Sequence, residues 1–403
     1  MQVPPFSLDK QLSEIGSELE IAVSRIIQSG HYIGGLEVKT FEDSFAKYLG
    51  LRNVVGCNSG TDALILALRA LGIGNGDEVI TPSFSFFATA EAISNVGATP
   101  VFVDIESNGY LIDIHSIEKA ITSKTKAIMP VHLFGCPVDM DLVMELAQKF
   151  GLKVIEDCAQ AAGAKWKNQF VGTFGDIGCF SFFPTKNLGA AGDGGAVTSN
   201  NDQLAKRIRE LAVHGMPKRY LHTELGYNSR LDALQAAILN IKLPKLEEWV
   251  EKRKQVALRY EKFLKDLPGL EIPKFSESVQ MTHGWNQFVI RIKNLSLNKN
   301  NLNLEDQIHI NNDTFNAFPE TSSRDRLKNE LSNLGVNTII YYPIPIHLQP
   351  AYNNLRSSSL ASLPLTEEVC SEVLSLPIFP EITIQEQDYV IYSIKQILGQ
   401  SNI

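Results

Sequence analysis

The sequence predicts an α/β protein, with a mostly parallel sheet layered by helices and a second, smaller C-terminal domain. Seven short apolar runs alternate with helical patterns as far as Thr198, and from Arg230 the pattern changes to long helices. With 403 residues, 44% of them apolar and 20% charged, the chain is long enough for a large core and a second one.

Taken in order, an amphipathic helix is expected over 7–28, stopped by Ser29-Gly30. The strand runs are 53–56, 78–81, 100–104, 127–132, 153–156, 178–182 and 195–198. Several are rich in Val and Ile and nearly continuous in apolar character, as strands covered on both faces are. Helical patterns lie between many of them, at 61–71, 88–96, 114–120 and 140–150. Such alternation marks βαβ units and a parallel sheet. Beyond it, 231–239 and 246–264 read as long helices, the second rich in Lys, Arg and Glu on one face. After Pro268-Gly269 come a strand over 287–292, a helix over 324–334 and a terminal helix over 386–398. The division therefore falls near Leu267, giving a large domain of residues 1–267 and a small one of residues 268–403. The Asn-rich stretch at about 294–323 is too polar for a core and reads as a surface insertion.

A net charge of -8 argues against a nucleic-acid surface, which needs clustered Lys and Arg. Five cysteines without a CxxC pair suggest reduced thiols in a cytosol rather than a disulfide framework. The N-terminus has neither a basic region nor an apolar core of the secretory type, and no apolar stretch is long enough to cross a bilayer. A cytoplasmic protein is expected.

In open α/β sheets, ligands gather beyond the carboxyl ends of the strands, and four features fall there. Ser59-Gly60-Thr61 opens the helix at 61–71, where free N–H groups and the dipole suit a phosphate; a plain helix cap is the simpler alternative. Asp157 ends the run Lys-Val-Ile-Glu-Asp, with Gln160 three residues on. An acid here either caps the next segment or holds a protonated ring nitrogen. Lys186 sits in a loop after a buried strand, within Phe180-Ser-Phe-Phe-Pro-Thr-Lys-Asn-Leu-Gly189. A lone lysine is ordinarily solvated, but one that is partly desolvated loses its proton and can form a Schiff base. Ser181 precedes that loop and is placed to donate to the same phosphate as Gly60 and Thr61. Finally, Phe84, Phe86 and Phe87 follow the strand at 78–81 and offer rings to stack on a flat cofactor or to pack in the core.

In this order the four features resemble the DegT/DnrJ/EryC1/StrS family of sugar aminotransferases over nearly the whole chain. The runs that carry the resemblance include VIEDCAQAAGA, GDIGCFSFFPTKNLGAAGDGGAV and GYNSRLDALQAAIL. The resemblance implies a fold-type I aminotransferase, with a mixed seven-stranded sheet in the large domain and a small C-terminal α+β domain. It implies pyridoxal 5'-phosphate (PLP) held covalently on Lys186, with Asp157 on the pyridine nitrogen and Gln160 near the phenolic oxygen. Phe86 would take the stacking position, where family members carry Trp or Tyr. Gly60, Thr61 and Ser181 would bind the cofactor phosphate. Asn228 would reach the phosphate of a neighbouring subunit, making a homodimer with shared sites. His347 and His214 resemble positions near the substrate; for His347 a structural, hydrogen-bonded role is equally open. No metal is implied.

The implied reaction moves an amino group from an amino acid, glutamate by expectation, to a keto group of a UDP- or dTDP-linked sugar. The run from His214 to Asp232 looks more like enzymes acting at C3 than at C4. A dehydratase of the same family would carry His in place of Lys186, and a non-catalytic regulator on the same fold should have lost Lys186, Asp157 or the phosphate turn. A nicotinamide dehydrogenase lacks support, because no GxGxxG follows the first strand.

Overall fold

The computed structural model describes residues 1–107, 109–272, 281–293, 322–353 and 362–399. Of the Asn-rich stretch, only Ser322 and Ser323 lie inside the described residues; they cap and begin the helix Ser323–Asn333.

Helix α1 (Asp9–Ser29) ends at Gly30, whose left-handed φ of 69° lets its N–H turn back to Ile27 O. A second helix, α2 (Gly35–Leu49), follows; the sequence reading did not anticipate it. Its buried residues Phe41, Phe45, Ala46 and Leu49 recur at helical spacing.

The central sheet is built from β1 (Asn53–Cys57), β2 (Glu78–Pro82), β3 (Thr99–Val103), β4 (Thr125–Ile128) and β5 (Lys153–Asp157). A small hairpin of β6 (Lys165–Trp166) and β7 (Gln169–Phe170) comes next, and β8 (Ile177–Ser181) and β9 (Gly195–Ser199) complete the sheet. The seven strands lie in the order β1-β9-β8-β5-β4-β2-β3. Neighbours from β8 to β3 are parallel, while β9 runs antiparallel to both β8 and β1. The exception has a local cause. Parallel neighbours need a crossover, usually a helix, and the segment 182–194 between β8 and β9 contains none. The chain therefore turns straight back, and that turn carries Lys186.

The expected strand at 127–132 is regular only to Ile128. Pro130 has no N–H for a ladder, yet the chain stays attached to β5. Pro130 O accepts the Asp157 N–H, and His132 N–H donates to Asp157 O.

Helices α3 (Gly60–Ala70), α4 (Ala88–Asn95), α5 (Ile114–Ala120), α6 (Met140–Phe150) and α7 (Asp202–Leu211) cover the sheet. On one side Leu64, Leu66 and Leu68 pack with Val79, Ile155 and Val197; on the other Ile80, Ile128 and Val154 meet Val143 and Leu146. Each such side chain contributes about 1.5–3 kcal/mol relative to leaving it exposed. Helix α8 (Ala233–Lys242) packs against α1 and α2. Helix α9 (Leu246–Leu264) then joins two cores: Val250 packs with Phe182 and Leu188, whereas Val256, Tyr260 and Leu264 pack in a second cluster. That cluster surrounds an antiparallel sheet of β10 (Leu270–Glu271), β12 (Phe288–Ile292) and β13 (Val373–Leu376). Between β10 and β12, β11 (Met281–Thr282) pairs with β6. The helices Ser323–Asn333 and Ile384–Ile397 and the N-terminal Val3 complete the second core. All five cysteines are buried and unpaired. Among the described residues no helix is long and apolar enough to cross a membrane.

Candidate active site

The carboxyl ends of β5 and β8 and the segments after β1 and β2 open onto a cleft of about 440 Å³. Gly60, Thr61, Phe86, Asp157, Gln160, Ser181 and Lys186 all line it, so residues far apart in sequence meet in one place.

One end is the start of α3. Ser59 caps it, its hydroxyl accepting the Asp62 N–H at 3.1 Å while its carbonyl accepts the Ala63 N–H. The remaining first-turn amides belong to Gly60 and Thr61, on the cleft wall. A side chain at Gly60 would lie 2.7 Å from Ser181 Cβ, so glycine is what lets the turn and β8 converge. N–H groups, a helix N-terminus and two hydroxyls there suit a phosphate.

The floor is the end of β5, whose successive residues face opposite ways. Asp157 faces the cleft. Its carboxylate accepts the Ala159 N–H at 3.1 Å and the Thr89 hydroxyl at 2.8 Å, and Thr89 meets Ser85 at 2.8 Å. Burial pushes this carboxyl above the usual range, opposed by the Ala159 N–H, the Thr89 hydroxyl and the charge of Lys186. Among the described residues no ion pair engages Asp157, so it is an acid ready for a cationic partner.

Glu156 faces the other way and accepts three backbone amides, from Gly172 at 2.7 Å and from Phe174 and Gly175 at 2.8 Å. His132 Nδ1 accepts the Val138 N–H at 3.0 Å, so the ring proton sits on Nε2 and is donated to Glu156 at 3.1 Å. Cys158 lies close to this pair. Both ring nitrogens and both carboxylate oxygens are already engaged, so the cluster is a strut under the floor rather than a metal centre.

Lys186 rises from the turn between β8 and β9, and its neighbours fix that turn. Asn187 Nδ2 donates to Gly284 O at 2.6 Å, and the buried Lys242 of α8 donates to Gly189 O at 2.9 Å. Burial pulls the Lys186 amine down to about 8, with Asp157 opposing. A neutral amine is the form that attacks a carbonyl. The rate at which Lys186 captures a small aldehyde, trapped by borohydride, is therefore expected to fall about tenfold per pH unit below 8 and to level off above it. A rate that keeps climbing to pH 10 contradicts the desolvated setting.

Gln160 is held at both ends, its carbonyl accepting the Phe134 N–H at 2.6 Å and its amide donating to the Tyr342 hydroxyl at 3.0 Å. Phe86 keeps 58% of its surface exposed, with its ring 6.1 Å from that of Tyr342. A ring left open on a cleft wall suits stacking. Phe84 is instead buried in a core cluster with Tyr110 and Phe134. Asn286, Gln287, Tyr341 and Tyr342 line the cleft too; they were not among the expected site residues, nor were Ser85, Thr89 and Asp193. Three remaining residues lie elsewhere. Asn228 is exposed outside this cleft, paired through its backbone with Val213. His214 has a left-handed φ of 64°, and its N–H donates to Tyr227 O. His347 is buried outside the cleft, with Nδ1 2.6 Å from Ser83 Oγ and Nε2 3.3 Å from Glu367.

The family model described as the DegT/DnrJ/EryC1/StrS aminotransferase family matches residues 13–311 and 305–395. The chain is 43% identical to a UDP-N-acetyl-3-dehydro-alpha-D-glucosamine 3-aminotransferase of Acidithiobacillus ferrooxidans, covering 94% of each protein. It is 40% identical to a protein named pleiotropic regulatory protein from Geobacillus stearothermophilus, covering 98% of each. The crystal structure of DesV from S. venezuelae in complex with a ketimine intermediate superposes with a TM-score of 0.88 at 38% identity, covering 100% of this chain and 99% of that one.

Proposed function

We infer that this chain, which belongs to the DegT/DnrJ/EryC1/StrS aminotransferase family, transfers an amino group from an amino acid to a keto group of a nucleotide-linked sugar. The observation that carries the reading is a desolvated lysine, Lys186, sharing one cleft with a buried carboxylate, Asp157, that no ion pair engages among the described residues. PLP is the family's cofactor, and when bound it supplies an electron sink for the carbon that bears the amine.

The residues fit that group. Gly60, Thr61 and Ser181 would hold its phosphate, Phe86 its ring face, Asp157 its ring nitrogen and Gln160 its phenolic oxygen. Lys186 would anchor it and, once released, carry a proton to and from the amine-bearing carbon on Nζ. Its lowered proton affinity suits both tasks, because an amine near 8 gives up and regains a proton readily near neutral pH. The glycine turn and the Asn187 and Lys242 anchors fix the loop from which that side chain reaches.

The donor in this reading is glutamate and the acceptor a 3-keto sugar on UDP or dTDP, in keeping with the name of the Acidithiobacillus relative. The exposed Asn228 serves a second copy, giving a cytoplasmic homodimer with shared sites. A regulatory role, as the name of the Geobacillus relative suggests, would not require Lys186, Asp157 and the phosphate turn, and all three are present. The test is a panel of UDP- and dTDP-linked 3-keto and 4-keto sugars with glutamate, the products resolved by mass and ring position. Amination at C3 is expected; failure with every member removes this substrate class.

A further inference from the structure

The Thr89 hydroxyl is the side-chain donor that the structure sets on the floor carboxylate, and it is 1% exposed. Its own oxygen lies 2.8 Å from the hydroxyl of Ser85, also buried and four residues earlier in the segment leading into α4. Since the Thr89 proton is given to Asp157 Oδ2, the Ser85 hydroxyl donates to Thr89. The three groups form a directed chain, Ser85 to Thr89 to Asp157. Such a donor favours an ionised carboxylate over a neutral one and fixes which way its second oxygen points. The Ala159 N–H on Oδ1 fixes the other end of the group.

We propose that Thr89, backed by Ser85, is a positioning residue that keeps Asp157 ionised and aimed at a protonated ring nitrogen in the cleft. This rests on the role given to Asp157 above. Thr89 lies on the cleft lining, but its hydroxyl proton is committed to that carboxylate. Removing its hydroxyl therefore weakens recognition of the ring nitrogen and leaves recognition of the phosphate and ring face untouched.

The experiment titrates full-length apo-protein with PLP and with its 1-deaza analogue, in which carbon replaces the ring nitrogen. The wild type is expected to prefer PLP by about a hundredfold, and Thr89→Val to cut that preference to about tenfold. Thr89→Ser, which restores the hydroxyl, stays within about threefold of wild type. A Thr89→Val protein that keeps the full preference, or that loses affinity for both ligands equally, overturns the positioning role. A wild type with no preference overturns the Asp157 reading itself, and this proposal with it.

Discussion

Replacing Lys186 with alanine is expected to abolish covalent retention of the cofactor and to lower turnover by about 10⁴-fold or more. The lysine is asked to do two things, and no nearby group replaces it in either. Among the cleft-lining residues it is the lone amine or guanidinium; the other ionisable groups there are Asp157, Asp193 and two tyrosines. Burial pushes the Tyr342 hydroxyl well above its ordinary range, which makes it a poor base near neutral pH. Borohydride reduction followed by intact mass reads the covalent link, and the visible absorption of the purified protein reads it independently. The apo-variant should fold at least as well as wild type, because the substitution removes a desolvated amine that costs stability at neutral pH. Turnover within tenfold of wild type would take Lys186 out of the mechanism.

The second large effect concerns the floor beneath the site. Glu156→Ala strips the acceptor from the buried Gly172 amide, from the half-buried amides of Phe174 and Gly175, and from the buried His132 Nε2. A buried donor left without a partner costs about 1–3 kcal/mol, so with two donors buried and two half-buried a loss of about 3 kcal/mol or more is expected. That is a large part of the roughly 5–15 kcal/mol by which folded domains are stable. Glu156→Gln should recover little, since its NH₂ would point at groups that also donate. Urea midpoints followed by tryptophan fluorescence measure the change. A shift for Glu156→Ala equivalent to under about 1 kcal/mol would mean that water takes over the amides and that the strut is dispensable.

Much of the fold was legible because its strands are buried on both faces. Short runs centred on Val-Ile pairs, such as those at 78–81 and 153–156, recur between helical patterns, and all seven fall in the central sheet. Helices whose apolar residues are few escaped. In α7 the core face is only Ala205, Ile208 and Leu211, set among charges. The helix Pro364–Glu372 opens on a proline, which reads locally as a turn, although proline is well tolerated in a first turn. For α2 the spacing of Phe41, Phe45 and Leu49 was a usable signal.

The cleft divides in the same way. Lys186, Asp157 and Gly60 stand at strand ends, where the topology of an open sheet tells a reader to look. Thr89, in α4, is marked by its distance to the carboxylate at the end of β5, and Tyr342 by its bond to Gln160 and its ring contact with Phe86. Such contacts exist once tertiary packing has formed, and no local periodicity announces them. His347 shows the reverse case. Its surroundings in sequence look like a site, whereas its ring is taken up by Ser83 and Glu367 inside the protein.

Helix α9 gives the cleft an unusual sensitivity. Its Arg253 is 2% exposed, and one guanidinium nitrogen reaches the carbonyls of Trp285, Asn286 and Ile378. Asn286 belongs to the cleft wall, and Ile378 to the second core. A single side chain thus clamps the cleft wall to hydrophobic packing well behind it. Distance from Lys186 is consequently a poor guide to which changes matter. Repacking around Tyr260 or Phe379 is therefore expected to reach Asn286 through Arg253.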